Sequence, residues 1–331
     1  MSAELRLAGK LAAQAGLPAP AALARVEGGK NNRVFRLDFA DGRRAAFKLY
    51  HADPRDPRDR LGAEWAFLSY AWARGVRACP EPLAQDLAAH AGLYAWLPGE
   101  KLSADTVRQA HVDAALDFVL AVNATPREIA DLPAGSEACF SLAEHLATID
   151  RRVARLAALD PQAPRRDEAA AFVAKHLAPV WEAVRARIAR AGALDARIAP
   201  EATCLSPSDF GLHNALYDGE RLRFLDFEYA GRDDPAKLAS DFFCCPEIPT
   251  PMQHHARFVA GLVAGLGLSE ADSERCALLL DAYRIKWACI ILNDFLPAGA
   301  ARRAFADHAQ SDRRCAEQLA RARAKLEQIA A

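Results

Sequence analysis

Ser206-Pro207-Ser208-Asp209-Phe210-Gly211-Leu212-His213-Asn214, followed by Leu225-Asp226-Phe227-Glu228, is the stretch whose reading decides the fold. Between its halves lies Asp218-Gly219, a dipeptide suited to a tight hairpin turn, flanked by strand-like runs at 214–217 and 221–227. The segment 202–229 therefore reads as a β-rich island in a chain that is otherwise mostly helical beyond residue 100. Asp209 and Asn214 stand five positions apart on a loop entering a strand, and Asp226 follows Asn214 by twelve.

This set suits phosphoryl transfer. A carboxylate must orient the attacking hydroxyl and accept its proton, and separate hard oxygen ligands must hold Mg²⁺ on the nucleotide phosphates. Asp209 fits the first role, and Asn214 with Asp226 fits the second. Taken singly, Asp209 reads as a turn cap, Asn214 as a turn residue and Asp226 as a strand-end carboxylate. Their joint spacing favours the chemical reading.

The front of the chain supplies a complement. Phe35, Leu37 and Phe39 alternate with Arg36 and Asp38, a half-buried strand; Asp41-Gly42 turns the chain; Ala45 to Tyr50 resumes the alternation. Lys48 falls on the side opposite Phe47 and Leu49, where an ammonium meets α- and β-phosphates. Glu64 follows 16 residues later on a helix marked by Leu61, Trp65, Leu68 and Trp72, placed to pair with Lys48. Gly28-Gly29 before Asn31-Asn32 allows backbone to approach a phosphate closely. Residues 1–25 read as a short leading helix, 51–60 as a solvated Asp-Pro-Arg loop, and 92–97 as a further strand closing on Pro98-Gly99. Helical segments follow near 104–124, 137–159, 168–192, 254–266, 270–297 and 300–330.

Composition bounds the rest. At about 150 residues per domain, 331 residues suggest two domains or lobes. A balance of 42 basic against 43 acidic residues offers no general attraction for nucleic acid or anionic lipid, so neither is an expected partner. The longest apolar run, Trp287 to Leu292, falls far short of the roughly 18 residues of a membrane span. Arg6, Lys10 and Gln14 break any signal-peptide core. Eight cysteines without a Cys-x-x-Cys pair read as reduced core thiols, and a cytoplasmic location is expected. His51 and His254-His255 lack metal-ligand spacing. Trp287 and Tyr283 read as core residues, with lining of an acceptor pocket as the functional option.

These residues resemble the aminoglycoside phosphotransferase and choline kinase group across roughly 24–295, most specifically at 205–241. The resemblance implies an α+β, bilobal protein-kinase-like fold: a small antiparallel β-sheet N-lobe over 1–97 and a larger, mostly α-helical C-lobe over 98–331. The hinge falls at 93–98 and the catalytic hairpin at 203–229. Carried over, Asp209 is similar to the catalytic base, Asn214 and Asp226 to the metal ligands, and Lys48 with Glu64 to the phosphate anchor. The Gly28, Gly29, Asn31 and Asn32 turn is similar to the nucleotide-covering loop, and Tyr94, Ala95 and Trp96 to the hinge that receives adenine. Asp241 is similar to an aspartate that braces the catalytic loop. The implied cofactors are ATP or GTP with Mg²⁺, and the implied acceptor is a hydroxyl of a sugar or sugar-like metabolite, an amino alcohol such as choline, or an aminoglycoside. The chain departs from the group's His-Gly-Asp by carrying Pro207-Ser208-Asp209, which motivates the alternative of a catalytically silent, kinase-like binding module. A protein kinase is disfavoured by the short run from Asp226 to Asp234-Pro235, which leaves little room for an activation segment.

Overall fold

The computed structural model describes residues 2–26, 32–52, 56, 58–125, 129, 132–297 and 308–329, with the backbone alone at 308–310. Its internal contacts divide the chain into two compact units, Met1–Ser136 with Cys204–Arg232, and Glu137–Thr203 with Asp233–Ala331.

The first unit opens with α1 (Ala3–Gln14), capped by the Ser2 hydroxyl, which accepts from Leu5 N–H at 3.1 Å. Strand β1 (Pro20–Val26) follows, so the leading helix predicted over 1–25 is corrected: it ends by residue 14, and an extended strand occupies the segment after Pro18 and Pro20. Proline lacks the N–H that a helix interior needs, which favours that break. Strands β2 (Arg33–Phe39), β3 (Arg44–Leu49), β4 (Pro82–Asp86) and β5 (Ala91–Ala95) complete an antiparallel sheet in the order β1-β2-β3-β5-β4. The turn into β3 places Gly42 at φ +83°, as its Asp-Gly signature predicts. Strand β4 gave no alternating pattern and was not foreseen.

Register sorts the sheet into two faces. Phe35 opposes Phe47, and Phe47 opposes Leu93, on the side that packs with Leu37, Ala91 and, from α1, Ala8 and Leu11. Lys48 opposes Gly92, and Ala46 opposes Tyr94, on the other side. That second face meets α2 (Arg60–Ala73), whose cap Asp59 accepts from Gly62 N–H at 2.9 Å. The buried stripe of α2 is Leu61, Glu64, Phe67, Leu68 and Ala71. Trp65 and Trp72, expected to mark the inner face, are only half-buried; the carboxylate of Glu64 takes the inner position instead.

Strand β6 (Glu100–Lys101) and α3 (Gln109–Val122) come next, then β7 (Cys204–Ser206), β8 (Ala215–Tyr217) and β9 (Leu222–Phe224). Asn123, at the end of α3, behaves as a strand partner for Leu205: its side chain accepts from Leu205 N–H at 2.7 Å and donates to Leu205 C=O at 3.0 Å. Strands β8 and β9 form the foreseen hairpin, with Ala215 opposite Phe224 and Gly219 in the turn at φ +99°. The island at 202–229 is less regular than expected, its strands spanning three residues each.

The second unit is helical: α4 (Leu142–Arg155), α5 (Arg166–Phe172), α6 (Ala178–Ala191), α7 (Pro235–Cys244), α8 (His255–Leu266), α9 (Glu270–Ile291) and α10 (His308–Glu327). The helix expected across 168–192 is interrupted by a π turn at Val173–Leu177. Helix α9 is the hub, packing against α4, α6, α7, α8 and α10. All eight cysteines are free and buried. No helix among the described residues is long and apolar enough to cross a membrane.

Candidate active site

Lys48 lies at the centre of the first unit's polar cluster. Its Nζ is 2.6 Å from Glu64 Oε2 and 2.6 Å from Asp226 Oδ1. The Lys48 and Glu64 side chains are 9% and 5% exposed, whereas Asp226 is 40% exposed, so one carboxylate is enclosed and the other faces solvent. Burial opposes the ammonium charge, but the Glu64 and Asp226 carboxylates outweigh it and hold Lys48 well above the usual lysine range. Burial pushes the Glu64 carboxyl up, against the pull of Lys48.

Two further residues complete this cluster: Tyr50, not singled out in the sequence, and Tyr94, singled out there only for the hinge. The Tyr50 hydroxyl donates to Glu64 Oε2 at 2.7 Å and lies 2.7 Å from the Tyr94 hydroxyl. Burial raises both phenols, so both stay protonated and available as donors. Gly92 makes this arrangement possible: a Cβ there would come within 2.7 Å of Tyr94 Cζ, so only glycine lets the ring fold back along its own strand. The signal was present in sequence as Gly92-Leu93-Tyr94, but only the register to Lys48 shows what it serves.

An aromatic platform positions the acidic residues. Phe67, one turn beyond Glu64, stacks on Phe227 with ring centroids 4.4 Å apart. Phe118 of α3 stacks on Phe224 at 4.7 Å, and Phe210 packs on Phe224 at 5.0 Å. Asp209 and Asp226 are chain neighbours of Phe210 and Phe227, so each carboxylate is fixed by an anchored ring beside it. Ser208 (φ +66°) and Asp226 (φ +67°) are both left-handed, a conformation that costs a side chain energy and recurs where function demands geometry. Ser206 Oγ accepts from Ser208 N–H at 3.1 Å and supports the first of these bends.

Within the 206–214 loop, Asn214 Nδ2 donates to the Asp209 carbonyl at 3.0 Å, and His213 Nε2 lies 3.6 Å from Asp209 Oδ1. Leu225 N–H donates to the Asn214 carbonyl at 2.8 Å, which sets Asn214 beside the residue preceding Asp226. The hairpin thus brings together Asp209, Asn214 and Asp226, and Asp226 joins them to Lys48 and Glu64. Glu228 is buried; Asn32 Nδ2 donates to it, and Arg60 Nη1 lies 3.9 Å away.

With this geometry the comparisons decide the family. The sequence profile of the phosphotransferase enzyme family, APH, matches residues 22–279. The chain belongs to that family. No curated protein matches this phosphotransferase by sequence. Among solved structures it is similar to a choline/ethanolamine kinase family protein from Mesorhizobium loti, at 19% identity over 98% of this chain and 99% of that one, with TM-score 0.59. It is also similar to choline kinase from Streptococcus pneumoniae, at 13% identity over 99% and 100%, with TM-score 0.62. A third similar structure is a spectinomycin phosphotransferase solved with ADP and spectinomycin, at 12% identity over 98% of each chain and TM-score 0.62. At these identities the likeness is one of fold, and the fold of this phosphotransferase is kinase-like: a five-stranded antiparallel sheet followed by a mostly helical region.

The remaining expectations divide. Gly28, Gly29 and Asn31 lie outside the described residues; Asn32 stands at the mouth of β2, bound to Glu228. Tyr94 turns its side chain inward and pairs with Ala46 and Pro82 in the sheet, while Ala95 N–H donates to Glu81 C=O at 2.9 Å. The strand ends at Ala95, with Trp96 beyond it. Trp287 and Tyr283 fall in the core of the second unit: the Trp287 indole N–H donates to Asp241 at 2.8 Å, and the Tyr283 hydroxyl lies 2.7 Å from His145 Nδ1.

Proposed function

We propose that this phosphotransferase moves the γ-phosphoryl group of ATP to a hydroxyl of a small polar molecule. The observation that carries the reading is the Lys48 ammonium held at 2.6 Å by both Glu64 and Asp226, with Asp226 solvent-facing and tied through its hairpin to Asn214 and Asp209. Lys48, oriented by Glu64, binds the α/β-phosphates as a point charge. Trp96 and the backbone that follows it receive the adenine edge. Asp209 orients the acceptor hydroxyl and takes its proton as the acceptor oxygen bonds to the γ-phosphorus. The bond from that phosphorus to the β-bridging oxygen breaks, and ADP leaves.

The residues present fit Mg²⁺. Asp226 engages Lys48 through Oδ1 and retains Oδ2, and Asn214 spends Nδ2 on the Asp209 carbonyl and retains its amide oxygen. Both are hard oxygen donors. No group of three or more His, Cys, Asp or Glu side chains among the described residues is arranged to hold a metal. Mg²⁺ on a nucleotide needs no such cage, since phosphates and waters fill most of its positions. When bound, the ion neutralises charge developing on the phosphate oxygens.

The kinase-like relatives include choline kinases and a spectinomycin phosphotransferase bound to ADP, which supports ATP as donor and an amino alcohol, a sugar-like metabolite or an aminoglycoside as acceptor. ADP release with Mg·ATP across those three acceptor classes, with Asp209→Asn beside the wild type, tests the reading. Acceptor-dependent release that vanishes in the variant is expected. Nucleotide binding without turnover on every acceptor would return the silent-module alternative.

A further inference from the structure

The end of the second unit's last helix holds a buried cation that no carboxylate among the described residues neutralises. Lys325 on α10 is 8% exposed and has no hydrogen-bond or ion-pair partner among the described residues. Arg321, one turn earlier on the same face, uses Nη2 to donate to the Pro246 carbonyl at 2.8 Å, which lays this face of α10 on the segment leaving α7. Cys244, at the end of α7, reaches the Leu280 carbonyl of α9 through Sγ at 3.8 Å, one turn before Arg284. Lysine and both arginines therefore converge where α7, α9 and α10 meet. His255 borders the same place, its ring 5.0 Å from that of Phe243.

The donors here outnumber the acceptors. Arg284 Nε and His255 Nε2 are buried without a hydrogen-bond partner among the described residues. The Asp281 carboxylate is divided between Arg284 at 2.6 Å and Arg187 at 2.5 Å. Asp241, on the same helix as Cys244, is occupied by Lys286 and Lys237. Burial and the charges of Arg284 and Arg321 hold Lys325 below the ordinary lysine range, with the Cys244 and Cys245 thiols acting the other way; burial and Arg284 lower His255. Position in the last turn of α10 lets Lys325 face the helix's negative end, but that attraction exists without burying the group. A set of buried donors lacking acceptors is the inverse of an anion.

We propose that Lys325, Arg321 and Arg284, bordered by His255, form a binding site for a small oxyanion of the phosphate type. The anion completes the donors and ties α10 to α7 and α9. It arrives as free phosphate or as the phosphate group of an ester, and both present the same oxygens. This site lies outside the residues assigned above to nucleotide and acceptor, so its test needs neither substrate nor turnover.

The test compares thermal midpoints of the full chain in millimolar inorganic phosphate, in glycerol 3-phosphate, and in chloride at matched ionic strength. The wild type is expected to gain several degrees from phosphate, from the ester, or from both. Lys325→Met is expected to lose that gain while standing at least as high as the wild type in chloride, because it removes an uncompensated buried charge. The ligand that binds the wild type more tightly by calorimetry names the source. A general salt effect, or phosphate held at the nucleotide site, would raise both proteins alike and overturn the proposal. Absence of any gain in the wild type would also overturn it. If Lys325→Met does not fold, Arg321→Gln carries the same comparison.

Discussion

Two clusters of carboxylates and lysines, one in each unit, use the same residue types to opposite ends. In the first, Lys48 joins Glu64 and Asp226, and Asp226 remains 40% exposed with an oxygen to spare. In the second, Asp241 takes both Lys286 contacts at 2.8 Å, the Trp287 indole at 2.8 Å and Lys237 at 3.4 Å, while Asp233 takes Lys237 at 2.8 Å. None of those four charged side chains is more than 6% exposed. Burial works against the Asp241 charge, but Lys286 and Lys237 outweigh it and hold the carboxyl below its usual range. The enclosed cluster is shut off from solvent, and its ion pairs fix α7 against α9. The open one retains charge and lone pairs for something that arrives. Asp241, which the family resemblance implied as a brace for the 206–214 loop, has these bonds to its own unit as its described partners.

Substitutions sharpen this contrast. Asp209→Asn is expected to lower turnover by about 10²–10⁴-fold, the usual span for a positioned general base, while stability moves by no more than about 0.5 kcal/mol. Acceptor-dependent ADP release and a denaturant titration on the same preparation check both halves. The mirror image is Asp241→Leu, which strands the buried Lys286 ammonium and leaves Lys237 to Asp233 alone. A loss of roughly 3–5 kcal/mol of folding stability is expected, read by urea unfolding. An Asp241 variant that unfolds at the wild-type midpoint would erase the distinction between the clusters.

A third prediction concerns pH. Burial opposes charge on His145, but hydrogen bonding to Asp234 outweighs it and lifts the imidazole to about 9, from an ordinary 6.5. The group is raised on folding, so its stabilisation is fully present below pH 6.5 and is lost as pH climbs through about 9. The amount is roughly 3 kcal/mol for a fully buried site. Thermal midpoints should fall across that window, and His145→Gln should flatten the slope and lower the midpoint at pH 6. The smallest expected effect belongs to Tyr50→Phe. Losing one donor to Glu64 is worth about 1 kcal/mol, a several-fold rise in KM for ATP with kcat nearly unchanged. Because Tyr50 acts through Glu64, the same change in a Glu64→Gln background should have no further effect; an equal effect in both backgrounds would make Tyr50 a packing residue only.

The amino-acid sequence by itself was sufficient for whatever depends on local period and short-range turns. Alternation at Phe35, Leu37 and Phe39, the Asp-Gly turns, and the Asp209, Asn214 and Asp226 spacing are read along one strand or one hairpin, and the structure joins them as the pattern implied. Lys48 and Glu64 were legible because a strand and a helix each place one polar residue among apolar neighbours. What the tertiary structure alone decided involves partners far apart in the chain. Tyr94 was expected only at the hinge, and its inward turn onto Tyr50 depends on the register that sets Gly92 beside Lys48. Helix α2 buries Glu64 rather than the tryptophans because Phe67 finds Phe227, 160 positions away. The enclosed network of Asp241 and the burial of Lys325 exist only once α7, α9 and α10 have packed. Spacing encodes which face a side chain takes; the charge that meets it there is settled by packing, where desolvation makes each missing or present counter-charge count.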